Sequence, residues 1–272
     1  GQKISLISTI NSTVSKNVIT NNQVCIFLEE STNNTLKQNA LTNSECGIQF
    51  NDSSNNHILG NNITSNDIGV DVKSSTKNTI EQNQITKNNQ GIQMFDSTEN
   101  IILRNNLTAN VNGIHLSCTR KINSFDPYNS QVVCVCLNNT FLENNLIKNS
   151  FGIWMRSASN NTFSGNNFIS NTNQLEMDDS INISGFVNKQ LLLEALGKLP
   201  FVNETIVDQI GASIANNATN LTFIEFPSIN FWSLNKTGNY WSNCNDTDND
   251  RDGICDNPYV IDENNKDNYP LI

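Results

Sequence analysis

Asn61-Asn62-Ile63-Thr64-Ser65-Asn66-Asp67-Ile68-Gly69-Val70 is answered 22 positions later by Asn83-Gln84-Ile85-Thr86-Lys87-Asn88-Asn89-Gln90-Gly91-Ile92. The Asn-x-(Ile/Leu)-(Thr/Ser) element also begins at Asn17, Asn39 and Asn105, so it recurs every 22 residues from Asn17 onward. It is expected to resume at Asn145 (Asn-Leu-Ile-Lys) and Asn167 (Asn-Phe-Ile-Ser), after an extra segment between Cys118 and Cys136. Two further elements keep the same step. One is Gly47-Ile48, Gly69-Val70, Gly91-Ile92, Gly113-Ile114 and then Gly152-Ile153. The other is Asn34, Asn56, Asn78 and Asn100, continued by Asn139 and Asn161.

A fixed period of this length marks a repeat architecture, in which each unit buries its apolar face only against its neighbours. Within a period the apolar residues alternate over short runs such as Gly47-Ile48-Gln49-Phe50, the signature of strands and not of a 3.6-residue helical repeat. The reading is an all-β, right-handed, single-stranded parallel β-helix of ~22-residue coils. Stacking places Ile48, Val70, Ile92, Ile114 and Ile153 in one inward column. Ile19, Leu41, Ile63, Ile85, Leu107, Ile147 and Ile169 are expected in another. Asparagine fills 52 of 272 positions, and the corners explain it. Asn tolerates left-handed backbone, and stacked Asn side chains hydrogen-bond from coil to coil.

The coils are expected over 1–184, with a side loop at 119–135, a helical insert at 185–226 and a C-terminal cap at 227–272. In the insert, Asn188 heads a run carrying Leu191, Leu192, Ala195, Leu196 and Leu199, and Asn203-Glu204 heads another carrying Ile206, Val207, Ile210 and Ile214. Each spacing gives one apolar helical stripe. The cap contains Asp246, Asp248, Asp250, Asp252 and Asp256. Carboxylates at alternate positions ahead of Gly253, with the carbonyl of Ile254, offer several oxygens to one hard cation, so bound Ca2+ is expected. Tyr259 stands where an EF-hand would carry its twelfth-position Glu, so the loop is dockerin-like or thrombospondin-like instead.

Gly238-Asn239-Tyr240-Trp241-Ser242, Asp250-Arg251-Asp252-Gly253-Ile254-Cys255-Asp256-Asn257-Pro258-Tyr259 and Asp267-Asn268-Tyr269-Pro270-Leu271 resemble the C-terminal signature of NosD-like parallel β-helix repeat proteins of the PbH1/CASH type. Such proteins are abundant on archaeal cell surfaces. The resemblance implies the fold and a surface location. The family's roles range from carbohydrate binding and hydrolysis to a periplasmic part in copper-enzyme maturation.

A net charge of −10 with scattered Lys and Arg excludes a nucleic-acid surface. No apolar run is long enough to span a bilayer. Seven cysteines and thirteen Asn-x-Ser/Thr sequons, at Asn11, Asn33, Asn51, Asn62, Asn106, Asn138, Asn160, Asn182, Asn203, Asn217, Asn220, Asn235 and Asn245, point to an extracellular, glycosylated, disulfide-bearing chain. Cys25 and Cys46 fall at nearly the same phase of adjacent coils and are placed to bridge. Cys244 and Cys255 would staple the aspartate loop, and Cys118 with Cys134 or Cys136 would tie off the side loop, leaving one thiol over. The two histidines, His57 and His115, lie more than two coils apart at different phases, so no copper site is expected.

The residues that follow the inward Ile/Val column face outward, and near the C-terminal coils they are His115, Trp154 and Glu176, with Arg156 and Asp178 two positions further along. A tryptophan able to stack on a sugar, beside polar and charged groups, makes this the candidate glycan face. The leading expectation is nevertheless a non-enzymatic, self-assembling cell-surface protein of the S-layer, sheath or filament kind. Ile4-Ser5-Leu6 matches Ile26-Phe27-Leu28, so the first coil offers an edge on which another copy can pair. The alternative is a carbohydrate-binding or polysaccharide-degrading module.

Overall fold

The computed structural model describes residues 2–118, 121–122, 132–133, 136–178, 180–182, 223–225 and 228–272. Three parallel sheets run the length of a β-helix. The first has eight strands of up to six residues, from Ile4–Ile7 and Val24–Glu29 to Phe151–Arg156 and Asn173–Asp178. We call it the long sheet. The second begins at Thr13–Ser15 and ends at Thr162–Ser164. The third begins at Val18–Thr20, reaches Asn167–Ile169 and closes on Tyr240–Trp241. Each strand pairs with its equivalent one coil away, as in Ile48↔Val70↔Ile92. Of the helical insert expected at 185–226, the described residues are Phe223–Glu225, which form a strand antiparallel to Ser180–Asn182; the rest, with Asn203, Asn217 and Asn220, lies outside the described residues.

The corners are where asparagine matters. Lys16, Gln38, Gln82, Arg104, Glu143 and Lys148 take left-handed φ of 54–58°. Next to such corners, buried asparagines form continuous ladders. The Nδ2 of Asn61 donates to Asn83 Oδ1 at 2.9 Å, and the backbone N–H of Asn61 donates to the same oxygen at 2.8 Å. Asn83 repeats this toward Asn105. Each amide also donates to a backbone carbonyl of the preceding coil, as Asn83 Nδ2 does to Ile58 O at 3.0 Å. The side chain thereby satisfies corner backbone groups that the strands cannot reach.

One expected register is corrected. The ladder continues from Asn105 to Asn144 at 3.0 Å and from Asn144 to Asn166 at 3.0 Å, so Asn145 and Asn167 stand one place further out. The inward column accordingly runs Leu107, Leu146, Phe168, all 0 % exposed, and Ile147 and Ile169 are half-exposed. A slip of one residue reverses every side chain in a strand. Asn-Asn pairs at 144–145 and 166–167 offer a corner asparagine in either register. Burial of Leu146 and Phe168 decides between them.

The repeat also reaches beyond the insert. Asn161 Nδ2 donates to Asn230 Oδ1 at 3.2 Å, and Asn166 Nδ2 to Asn239 Oδ1 at 2.9 Å. Residues on either side of a 69- or 73-residue gap thus add a further set of rungs. The core ends in stacked rings, Phe141–Phe163–Trp232 and Phe168–Trp241–Tyr259, with centroid spacings of 4.3–4.6 Å. Broad aromatic faces close the open end of the aliphatic columns.

Candidate functional site

The outer face of the long sheet carries the candidate site. In register, Gln93 pairs with His115, His115 with Trp154 and Trp154 with Glu176, while Phe95, Ser117, Arg156 and Asp178 form the next row. The structure therefore brings together all five residues expected on the glycan face.

His115 and Trp154 rings meet at 4.2 Å between centroids with an interplanar angle of 45°. Burial, and secondarily the positive charge of Arg156, hold the His115 imidazole down at about 4, so it is neutral at neutral pH. Among the described residues, the buried side-chain nitrogen or oxygen atoms without a hydrogen-bond partner are Nδ1 and Nε2 of His115. Leaving a buried polar group unpaired costs about 1–3 kcal/mol. An orphaned polar group of this kind calls for an explanation. Arg156 Nε stands 3.6 Å from Asp178 Oδ2, with both side chains partly exposed, and Glu176 is exposed.

Further along the same face the polar residues satisfy one another. The buried Asp71 carboxylate accepts Gln49 Nε2 at 3.2 Å and Gln93 Nε2 at 3.3 Å, and Lys73 Nζ lies at 2.8 Å. These partners account for a carboxylate that is 1 % exposed as a structural group. The site is confined to the end where His115 is not so served. Sequence reading could place these columns but had no means of detecting an orphaned imidazole.

In the aspartate loop, Asp248, Asp250 and Asp252 present carboxylate oxygens within 4.8 Å of one another. Repulsion, first from Asp252, raises the Asp250 carboxyl. Asp246 is turned away and accepts Asn257 N at 2.7 Å and Asn257 Nδ2 at 3.1 Å. Asp256 accepts Thr247 Oγ1 at 2.8 Å, and Ile254 bridges to Leu271. Three of the six expected ligands are thus gathered, and the other three are engaged within the fold.

The cysteines fall differently from expectation. Cys25 and Cys46 are free, because the register pairs Val24 with Cys46. The Cys25 thiol points inward to Ser44 Oγ at 3.1 Å, while that of Cys46 lies against Ile48 O at 3.3 Å. Cys118 is disulfide-bonded; Cys136 is free and buried, and Cys134 lies outside the described residues. Cys244 and Cys255 are free with their sulfurs 3.7 Å apart. Among the sequons, Asn11, Asn33, Asn138, Asn160 and Asn235 occupy left-handed corners. Asn51 lies on the long sheet and Asn62 and Asn106 on the third sheet, Asn182 lies in the strand Ser180–Asn182, and Asn245 is exposed in the tail.

The family model described as periplasmic copper-binding protein (NosD) matches residues 1–186. The chain belongs to the NosD family. No curated protein matches it. Solved structures similar to this NosD-family chain include the mannuronan C-5 epimerase AlgE6 A-module of Azotobacter vinelandii, 18 % identical over 64 % of this chain and 51 % of that one, with a TM-score of 0.48. The periplasmic alginate epimerase AlgG is 18 % identical over 64 % and 45 %, with a TM-score of 0.42. The catalytic domain of a GH87 alpha-1,3-glucanase is 10 % identical over 64 % and 50 %, with a TM-score of 0.29. The chain spans about half the length of these proteins, and likeness of this degree carries no residue or role across. It does correct one expectation. The chain was expected to be non-enzymatic; these similar structures are by name polysaccharide-modifying enzymes, and that expectation is withdrawn.

The copper in the family's description does not fit the residues present. Copper takes imidazole, thiolate or thioether ligands grouped in space. His57 Nε2 is engaged with Glu81 Oε2 at 3.1 Å on the second sheet, while His115 lies on the long sheet. Met94 and Met155 are 0 % exposed in the core, and Met177 packs against it. Cys244 and Cys255 bring two sulfurs together but no third soft ligand joins them; among the described residues, the one group of three His, Cys, Asp or Glu ligands is the aspartate triad, a hard-oxygen set. No helix among the described residues is long and apolar enough to cross a membrane.

Proposed function

We propose that this NosD-family chain is a periplasmic or extracellular polysaccharide-recognition module that binds a glycan on the outer face of the long sheet around Trp154. The observation that supports it best is the buried, unpartnered His115 imidazole in contact with Trp154. A sugar ring offers what an aromatic face packs against, and a turn of the half-buried His115 ring would present its shielded nitrogens to the sugar's hydroxyls. The assembly reading has no comparable orphan to explain, and the glycan reading takes precedence over it.

Tryptophan fluorescence tests this directly, because Trp232 and Trp241 are 2 % and 1 % exposed and a soluble quencher reports on Trp154. Oligosaccharide binding should protect that signal, and Trp154→Ala should weaken binding about tenfold, the scale of one aromatic contact. Absence of protection across gluco-, manno-, xylo- and uronate oligosaccharides would sink the reading.

A calcium ion on Asp248, Asp250 and Asp252 belongs to the same proposal, as an ordering device for the cap. Isothermal titration with Ca2+ should show one site that is lost in Asp250→Asn, with a Tm that falls on chelation. An unchanged Tm in EDTA would remove calcium from it.

A further inference from the structure

We infer that the glycan bound around Trp154 is a cationic one, an amino-sugar chain whose free ammonium groups are recognised by the indole of Trp154 and the carboxylate of Glu176. The inference rests on the glycan reading above and names its substrate class. Its independent support is the way the coils sort charge. On the long-sheet strands and the corner residues flanking them, Glu29, Glu30, Glu45, Asp52, Asp67 and Glu176 make no ion pair among the described residues. The cations there are Lys3, set over the Phe27 ring, and Lys73 and Arg156, which face Asp71 and Asp178. The other two sheets show the reverse. Lys16, Lys37, Lys87 and Lys148 stand on their strands or corners with no acidic partner among the described residues, whereas Glu81, Glu99 and Glu143 are engaged by His57, Lys77 and Arg104. A surface divided in this way draws cations to the long sheet and turns anions away from it.

Trp154 is where that field meets an aromatic ring. Glu176 is its register partner on the next strand, and neighbouring strands lie about 4.8 Å apart, so a group stacked on the indole is within reach of the carboxylate. His115, the partner on the other side, is neutral at neutral pH and adds no charge. The positive charge of Arg156 is directed at Asp178, 3.6 Å away. An ammonium over an indole is attracted by the negative face of the ring, and the neighbouring carboxylate adds a charge-assisted hydrogen bond. A neutral sugar packs on the same ring without either gain and binds more weakly, and a uronate is repelled. Acetylation of the amine removes the charge while keeping the ring and its hydroxyls, so the acetylated and free forms of one chain isolate the charge.

The test uses the full chain and its Glu176→Gln variant, with fluorescence quenching of Trp154 in the presence of glucosamine oligomers, the same oligomers N-acetylated, and oligolysine. Measurements are made at about pH 6, where amines are protonated and carboxylates ionised. The glucosamine oligomer should protect Trp154 at about tenfold lower concentration than its acetylated form, the scale of a cation–π contact and an exposed ion pair together. Glu176→Gln should narrow that preference to within about threefold, and so should raising the salt to about 0.5 M. Equal protection by the two forms, a preference for the acetylated one, or a preference that survives Glu176→Gln overturns the inference and leaves the glycan site standing. Protection by oligolysine at the same concentration as by the glucosamine oligomer also overturns it, since the face is then a general polycation surface. No protection by these oligosaccharides or by the neutral and uronate chains removes the glycan site and the inference together.

Discussion

Asp267 terminates the asparagine ladder by accepting Asn239, whose Nδ2 lies 3.1 Å and whose backbone N lies 2.7 Å from Asp267 Oδ2. The ladder has one polarity, each Nδ2 donating toward the C-terminal end from Asn17 onward, so its last member must accept and has no further rung to donate to. Trp241 Nε1 at 3.1 Å and the Tyr269 N–H at 3.1 Å complete four donors around one carboxylate that is 0 % exposed. An ionised carboxylate is acceptor-only, whereas an amide would turn an NH2 toward donors. Asp267→Asn should therefore cost about 2–3 kcal/mol, the scale of hydrogen bonds to a charged group, measured by denaturant unfolding. A loss below about 0.5 kcal/mol would show that the ladder needs no anionic terminus.

The register of the later coils can be tested in the same way. Leu146 is 0 % exposed and Ile147 is half-exposed. Leu146→Ala should cost about 2–5 kcal/mol, as core leucines do, and Ile147→Ala about 1 kcal/mol or less. The opposite order would restore the register suggested by the motif at Asn145.

This pair shows where the sequence is legible and where it is not. The 22-residue period, the Gly47–Gly69–Gly91 column and the outer row containing Trp154 follow from spacing alone. At Gly47 the reason is the next coil, since an added Cβ would stand 2.6 Å from Gly69 O and 2.7 Å from Ile63 Cγ2, distances no side chain tolerates. Spacing failed at doubled asparagines, where either residue offers a corner asparagine, and across the insert, where Asn230 and Asn239 rejoin ladders after about seventy residues. Pairing of Cys25 with Cys46 failed for a similar reason, because phase gives proximity but not the side to which a thiol points. The orphaned His115 and the separation of Asp246 and Asp256 from the aspartate triad depend on neighbours that no spacing rule supplies.

Cys244 and Cys255 lie with sulfurs 3.7 Å apart across the aspartate loop, longer than the ~2.05 Å of a disulfide but within a small side-chain rotation of it. Protein made in an oxidising compartment should carry this bond, seen as a linked peptide in non-reducing mass spectrometry. Closing so short a loop should add about 2–3 kcal/mol to the stability of the cap. Recovery of both residues as alkylatable thiols in the native oxidised protein would exclude it.

The His115 imidazole gives the fold a pH dependence whose sign follows from its burial. Its value falls from 6.5 to about 4 on folding, through desolvation first and the charge of Arg156 second. Between these two values the unfolded chain binds more protons at this position than the folded chain, so stability rises with pH. The contribution is complete above about 6.5, is lost as pH falls toward 4, and changes no further below that. A difference of this size amounts to about 3 kcal/mol at most, and partial solvent access reduces it to on the order of 2 kcal/mol. His115→Gln removes the titration while keeping a polar side chain of similar volume. Denaturant unfolding of both proteins at pH 7 and pH 4.5 should show the native chain losing that much more stability than the variant, since the carboxylates titrating in the same range are common to both. Equal losses would mean that His115 is solvated in the folded protein, and the orphaned imidazole that supports the glycan site would no longer be there to explain.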